Sequence, residues 1–492
     1  MSLIQISNLT FGYDGTADLI FENVSFQIDT NWKLGFTGRN GRGKTTFLNL
    51  LMGKYEYNGT ISSSVCFDYF PFEVADKAQN TLGVMNKIVS DCPLWKVQKE
   101  LSLLSVSNAV LSRPFGTLSN GEQTKVLLAA LFLKDNHFLL IDEPTNHLDA
   151  QAREVVGNYL NSKNGFILVS HDRAFLDHCI DHILSINKQN IEIQKGNYSS
   201  WQQNKQLQDE FEFNENIKLK KDIKKLSEAA KQAAGWSDKT EKAKKGTLNS
   251  GIKPDRGFIG HKAAKMMKRS KSIEARRQNA ADKKSALMKN IDTADELILR
   301  PLAYYRGMLL EAENLSIQYN GNFVCAPVSF QVHTGDRILL SGRNGCGKTS
   351  ILKLLNGEEI DFAGNLRIGS NLIISYIPQD TSFLNGSLKD FADMEALDES
   401  LFKAILRKLD FSREQFEKDM SDFSGGQKKK VLLAKSLCQS AHLYIWDEPL
   451  NFIDVLSRIQ IEELILKYKP TMLFVEHDLS FQNAIATKRI EL

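Results

Sequence analysis

Two stretches of the chain set a lysine and a hydroxyl side chain directly after a glycine-rich turn. Gly38-x4-Gly43-Lys44-Thr45-Thr46 and Gly342-x4-Gly347-Lys348-Thr349-Ser350 both match the phosphate-binding pattern GxxxxGK[ST]. Glycines let backbone N–H groups close around phosphate oxygens, and a helix N-terminus behind the loop adds positive potential. Asn40, Gly41, Asn344 and Gly345 supply further backbone to the two loops. Lys44 and Lys348 are expected to reach the β- and γ-phosphates of a nucleotide, and the Thr45 and Thr349 hydroxyls to ligate Mg2+. Each loop follows a short apolar run, LGFT or RILLS, and precedes an apolar-periodic segment, FLNLLMG or ILKLLNG. That strand–loop–helix context separates a phosphate loop from an unrelated glycine turn. Further along each half, HFLLID and HLYIWD read as buried strands ending in a carboxylate. Asp142 and Asp447 are placed to hold the metal shell, and Glu143 and Glu448 to polarise an attacking water. His171 and His477 close the apolar runs GFILVS and TMLFVE, where an imidazole can sense a γ-phosphate.

These elements occur twice, in one order and at one spacing. LIQISNLTFGY at Leu3 returns as LLEAENLSIQY at Leu309, and TGRNGRGKTT at Thr37 returns as SGRNGCGKTS at Ser341. The two aspartates lie 305 residues apart and the two histidines 306 apart. The register predicts a duplicated domain over 1–198 and 305–492.

Leu118-Ser119-Asn120-Gly121-Glu122-Gln123 and Ser424-Gly425-Gly426-Gln427 each open a segment rich in Lys, Leu and Ala. A serine and bare backbone at a helix N-terminus make an anion site. With the phosphate loops and the acidic strands, these residues resemble the signature motif of ATP-binding-cassette (ABC) ATPases. The resemblance implies an α/β fold of two tandem P-loop ATPase domains that sandwich two ATP head to tail. Site one then combines Lys44, Thr45, Asp142, Glu143 and His171 with Ser424, Gly425 and Gly426. Site two combines Lys348, Thr349, Asp447, Glu448 and His477 with Ser119 to Gly121. Tyr13 and Tyr319 match the aromatic that stacks on adenine. Ile377-Pro378-Gln379 fits the family's Q-loop, making Gln379 a metal ligand, whereas Phe70-Pro71-Phe72 puts a phenylalanine at that position. Asn120 replaces a signature glycine, and Asp149 and Asp454 keep the carboxylate that follows each acidic strand. Unequal turnover at the two sites is expected.

The chain has 492 residues, of which 42% are hydrophobic and 25% charged, the balance of an ordinary globular protein. No run of about 18 apolar residues suggests a membrane-spanning helix, and the first residues lack the charge and apolar pattern of a secretory leader. Six cysteines stand without CxxC spacing, which fits a reducing cytoplasm and argues against zinc. The net charge of +3 hides a lopsided distribution: residues 231–280 hold 14 Lys and Arg against 4 Asp and Glu. That segment belongs to residues 199–304, which match neither repeat. Leu207, Phe211, Ile223, Leu226, Ala230 and Ala233, and later Leu287, Ile291, Ala294 and Ile298, follow helical spacing. Four glycines and Pro254 within 246–260 break the helix. The segment reads as a helical hairpin with a basic tip, where Lys244, Lys253, Arg256, Phe258 and Lys262 can meet phosphates and unpaired bases.

Two cassettes without a membrane domain, joined by a helical linker, resemble the ABC-F family. The resemblance implies a cytoplasmic ATPase, with ATP and Mg2+ as cofactors, acting as a monomer with intramolecular pairing of its two ATPase domains. It further implies binding to the bacterial ribosome (23S rRNA) at the E site, with the linker beside P-site tRNA. The tip segment RGFIGHKAAKMMKRSKSIEARRQ is similar to that of the Lsa group, which confers resistance to lincosamides, pleuromutilins and streptogramin A. No arm insertion interrupts the first cassette and no extension follows Leu492, which favours the resistance reading. Two other functions stay open: a general translation factor without drug specificity, and the ATPase subunit of an efflux transporter.

Overall fold

The computed structural model describes residues 2–13, 19–38, 42–89, 92–146, 148–186, 191–242, 297–319 and 321–492, with Lys265, Lys268, Ser272, Ala275, Arg276 and Asn279. Asn40, Gly41 and the tip residues Lys244, Lys253, Arg256, Phe258 and Lys262 lie outside these described residues, as does the 246–260 loop. The chain divides into two compact units, one of Met1–Trp201 with Ala294–Leu492 and one of Gln202–Thr293.

The first unit holds both repeats. In repeat one, a six-stranded sheet runs in the order Cys66–Phe70, His137–Asp142, Phe166–Val169, Lys33–Thr37, His182–Ile186, Ile191–Lys195. The first five strands are parallel and the last is antiparallel. Strands such as FILV are apolar at every position because both faces of the parallel sheet are covered, one by helices and the other by the Lys44–Leu51 helix and an antiparallel sheet. Repeat two carries the same core as five parallel strands, in the order Ile374–Ile377, Leu443–Asp447, Met472–Val475, Arg337–Ser341, Lys488–Glu491. Each repeat adds an antiparallel sheet built on its first strand, Leu3–Phe11 or Met308–Tyr319. Phe47 fills the space between the two sheets of repeat one, fully buried among Phe21, Phe26 and Phe36.

The Lys33–Thr37 and Arg337–Ser341 strands sit inside their sheets, so each glycine-rich loop leaves from the carboxyl edge of a buried strand. Open α/β sheets bind ligands at that edge. The acidic strands run alongside, one strand removed in each sheet.

In the second unit the described part is dominated by one helix, Tyr198–Lys242, whose 45 residues give a length of about 68 Å at about 1.5 Å per residue. Leu207 and Phe211 follow the helical period expected of them but are 66% and 63% exposed. The expectation of a helix through Ile298 is corrected. Residues 297–300 are not helical, and Leu297 and Leu299 are buried while Ile298 is exposed. Pro301 disfavours a helical conformation in the residue before it, and the two leucines instead join the core of repeat two.

The repeats also touch each other. Val455, on the repeat-two helix Val455–Tyr468, belongs to the apolar core of repeat one, and Ile459 packs against it. Beside them Arg173 donates to Glu462 at 2.6 Å, with both side chains mostly shielded from water. By repeat register the mirror positions are Leu479 and Gly157, so this ion pair fastens one side of the pair of domains. A double-mutant cycle on Arg173→Ala and Glu462→Ala, read by urea unfolding, is expected to show a coupling of about 1–3 kcal/mol, the range for hydrogen bonds to charged groups. Additive effects would show that the pair does not contribute.

Candidate functional site

Both phosphate loops share one local geometry. Gly43 and Gly347 cap the helices Lys44–Leu51 and Lys348–Leu355 in the left-handed region, with φ 92° and 96°. A side chain at Gly43 would also strike Ile20, since its Cβ would lie 2.5 Å from Ile20 Cγ2. Lys44 and Lys348 are buried and fold back over their loops. Lys44 Nζ donates to Gly38 O at 2.6 Å, and Lys348 Nζ donates to Gly342 O and Arg343 O, each at 2.9 Å. The Tyr13 and Thr46 hydroxyls lie 2.8 Å apart, and the Tyr319 hydroxyl donates to Ser350 Oγ at 3.1 Å. Each tyrosine ring is thereby held beside its loop, close to half exposed.

The two signature segments cap helices as their sequence suggests. Ser119 and Ser424 open Asn120–Phe132 and Gly425–Cys438 through capping boxes, partnered by Glu122 and Gln427. Each helix N-terminus faces the opposite repeat. One cleft of about 490 Å3 is lined by Tyr13, Gly43, Lys44, Thr45, Thr46, Asp142, Glu143 and His171 from repeat one, and by Ser424, Gly425, Gly426 and Gln427 from repeat two. The other, of about 960 Å3, joins Asn344, Gly345, Gly347, Lys348, Thr349, Ser350, Gln379, Glu448 and His477 to Ser119, Asn120, Gly121 and Glu122. The structure therefore brings together the two composite groups of residues that the resemblance implies. Asp447 is fully buried beneath the second cleft, and among the described residues Tyr319 is not part of that cleft's lining. Phe72, at the position that Gln379 holds in the other repeat, stands 45% exposed.

The acidic residues differ between the clefts. Asp142 Oδ2 accepts from the Tyr69 hydroxyl at 2.8 Å and from Thr45 Oγ1 at 3.4 Å. Neither Asp447 oxygen has a hydrogen-bond partner. Burial pushes the Asp447 carboxyl up to about 6, against the pull of the nearby Thr349 hydroxyl. Glu143 is held up at about 8, first by burial and then by the neighbouring Asp142. His171 Nε2 stands 3.5 Å from Glu143 Oε1, an oxygen buried without a hydrogen bond. The His171 ring is kept neutral by burial and by the charges of Lys44 and Arg458. Burial also works to raise Glu448, but the hydrogen bond to His477 at 3.3 Å, with Gln379 and Lys429 nearby, outweighs it and brings the carboxyl down to about 2. Asn451 Nδ2 also donates to Glu448, at 2.5 Å.

Sequence reasoning named Asp454 only as the carboxylate after the acidic strand and missed that it and other charges bridge the repeats. Asp454 of repeat two acts on Lys44, and Arg458 acts on both Glu143 and His171. Arg458 is itself fixed by Asp478 at 3.0 Å and by the Ile453 and Leu450 carbonyls, while Lys430 pairs with Asp454 at 3.0 Å. Arg153 and Lys125 line the other cleft. The signal was available, because Arg153 and Arg458, like Lys125 and Lys430, stand 305 residues apart in the repeat register.

The oxygen donors here suit a hard cation such as Mg2+. Thr45 with Asp142, and Thr349 with Asp447 and Gln379, would hold one, and it would neutralise developing phosphate charge. The buried, unpartnered oxygens of Asp447 fit such an ion.

Paired phosphate loops faced across an interface by signature helices define an ATP-binding-cassette ATPase. Residues 21–146 and 325–451, just over half of the chain, match the family described as "ABC transporter", and the chain belongs to it. It binds and hydrolyses ATP and has an ABC-F-like arrangement of two ATPase domains in one polypeptide. It is 27% identical to the Bacillus subtilis "Uncharacterized ABC transporter ATP-binding protein YfmM", over 99% of this chain and 98% of that protein. It is 26% identical to the "Ribosome protection protein VmlR" of the same organism, over 97% of this chain and 84% of that protein. The fold is also that of the archaeal ribosome recycling factor aABCE1, solved with the ribosomal stalk protein aP1. That match has a TM-score of 0.63 and 18% identity, over 98% of this chain and 87% of the other. Among the described residues no helix is long and apolar enough to cross a membrane.

The two glutamates make opposite predictions for stability without nucleotide. A carboxylate whose folded pKa is raised costs stability as pH climbs from its unfolded value towards the folded one. Glu143→Gln is therefore expected to melt above the wild type by a margin that grows between about pH 5 and pH 8. A lowered carboxylate adds stability above its unfolded pKa, so Glu448→Gln should melt below the wild type at pH 7. Thermal melts of both variants across that range check the signs. Parallel curves would contradict the difference between the clefts.

Proposed function

We propose that the protein is an ABC-F ATPase that protects the bacterial ribosome from antibiotics at the peptidyl-transferase centre. The observation that carries this reading is the composite build of both clefts, in which each phosphate loop of one repeat faces the Ser–Gly helix start of the other. Nucleotide held there draws the two domains together, and hydrolysis lets them part. Lys44 and Lys348 take the β- and γ-phosphates. Thr45, Asp142, Thr349, Asp447 and Gln379 hold Mg2+ when it is bound. Glu143 and Glu448 orient and deprotonate water, His171 and His477 contact the γ-phosphate, and Tyr13 and Tyr319 stack on adenine. Glu448, held down at about 2, is ionised at pH 7 and ready to accept a proton, whereas burial and Asp142 push the Glu143 carboxyl up to about 8.

The linker supports a ribosomal target. A 45-residue helix leads into a segment with 14 Lys and Arg against 4 Asp and Glu, a composition suited to RNA phosphates. One relative is a ribosome protection protein and one structural neighbour a ribosome recycling factor. On this reading the domains close at the E site, the linker lies beside P-site tRNA, and its tip shifts 23S rRNA and tRNA so that lincosamide, pleuromutilin or streptogramin A leaves. The Lsa-like tip segment supports that choice of drugs.

The Glu143→Gln/Glu448→Gln double variant is expected to co-sediment with 70S ribosomes in ATP, and its absence from the ribosomal pellet would overturn the reading. Expression in a susceptible bacterium should raise the inhibitory concentrations of lincomycin and tiamulin. Ribosome binding without any such rise would point to a general translation factor. Shortening 246–260 should abolish protection while basal ATPase activity stays within about twofold of the parent, because every residue assigned to ATP belongs to the two repeats.

A further inference from the structure

Tyr69 and Tyr376 are equivalent residues, each three positions before the Q-loop residue, Phe72 or Gln379. Each lies on a strand paired in parallel with the acidic strand. Tyr69 pairs with Leu140 and Tyr376 with Ile445, which puts the catalytic-strand aspartate two residues further along in both repeats. Side chains two apart on a strand share a face, so each hydroxyl faces the aspartate diagonally.

From this common placement the two repeats diverge. In repeat one the Tyr69 hydroxyl donates to Asp142 Oδ2 at 2.8 Å, and Thr45 adds a longer bond to the same oxygen. In repeat two the Tyr376 hydroxyl is buried with no partner, and so are both oxygens of Asp447. The charge of Asp447 is nonetheless felt at Tyr376, whose acidity burial and that charge reduce together. A buried polar group without a partner is costly and is satisfied by whatever next supplies a hydrogen bond. Loading Asp447 with a hydrated cation would give three orphaned atoms the partners they lack. Loading Asp142 must compete with a hydrogen bond already made.

We propose that this tyrosine is a positioning residue for the divalent cation, with opposite effect in the two repeats: Tyr376 helps Asp447 seat the ion, while Tyr69 occupies Asp142 and weakens its hold. The inference rests on the reading of both clefts as cation–nucleotide sites and adds to it an order of loading, site two before site one. The difference coincides with the Q-loop substitution. Repeat two pairs a free tyrosine with Gln379, whereas repeat one has Phe72 beside a tyrosine that is already bonded.

Mn2+ titration of the full chain with AMP-PNP, followed by electron paramagnetic resonance, tests it without turnover. The wild type is expected to show two classes of bound Mn2+, the tighter removed by Lys348→Ala and the weaker by Lys44→Ala. Tyr376→Phe should weaken the tighter class about tenfold, and Tyr69→Phe should strengthen the weaker class by about as much, which is the effect of one hydrogen bond to a charged group. Equal classes in the wild type, unchanged affinities in both variants, or a tighter class assigned to Lys44 would overturn the proposal and leave the nucleotide sites standing. Failure of the wild type to bind Mn2+ with AMP-PNP would overturn the site reading itself.

Discussion

A nucleoside triphosphate carries more negative charge than one glycine-rich turn can surround, and this fold depends on meeting that charge from two sides. The lysine, hydroxyls and backbone of one repeat form one wall, and the N-terminus of a helix in the other repeat forms the second. Neither repeat holds a complete cleft. The parallel sheets bring the loop and the acidic strand to one edge, and the capped signature helices bring backbone N–H groups to the opposite repeat. The ionic residues between the domains follow from the same demand. Asp454, Arg458 and Lys430 set the local field at Lys44, Glu143 and His171, so the chemistry of site one is tuned by a domain that lends it no catalytic side chain.

Duplication has not kept the two clefts equal. The glutamates share an Asp-Glu-Pro context, yet their carboxyls are shifted in opposite directions. Glu448 has a histidine at hydrogen-bond distance and an asparagine on its other oxygen. Glu143 is left with a longer approach from His171 and a buried oxygen lacking a partner. The Arg173–Glu462 ion pair adds a mechanical difference, because it joins the repeats beside site one and has Leu479 and Gly157 at the mirror positions.

Much of the site was legible from residues alone. Phosphate loops, acidic strands and the Ser–Gly helix starts all show in the repeat register, because backbone phosphate binding demands glycines at set positions and a helix directly behind them, whereas their crosswise grouping was implied by the resemblance to ABC ATPases. The fold class followed from the resemblance to ABC ATPases that these motifs carry. The end of the linker was less legible: Ile298 continues the helical spacing of Leu287, Ile291 and Ala294 on paper, yet Pro301 and a waiting apolar core hold Leu297 to Arg300 out of a helix. Arg153 and Arg458 were overlooked because an arginine within a helix looks like surface charge until its partners are known.

The order and chemical identity of the nucleotide-handling groups were thus determined by the amino-acid sequence, since those groups act through residue type and local backbone shape. Protonation, pairing and asymmetry were decided by the tertiary structure alone. Whether Glu143 keeps a proton, whether Tyr69 reaches Asp142 while Tyr376 reaches nothing, and whether Arg173 meets a carboxylate depend on burial and on distances of a few ångströms. Those distances are set by packing between segments up to about 300 residues apart, and electrostatic energy in a poorly solvated interior varies steeply over such a range.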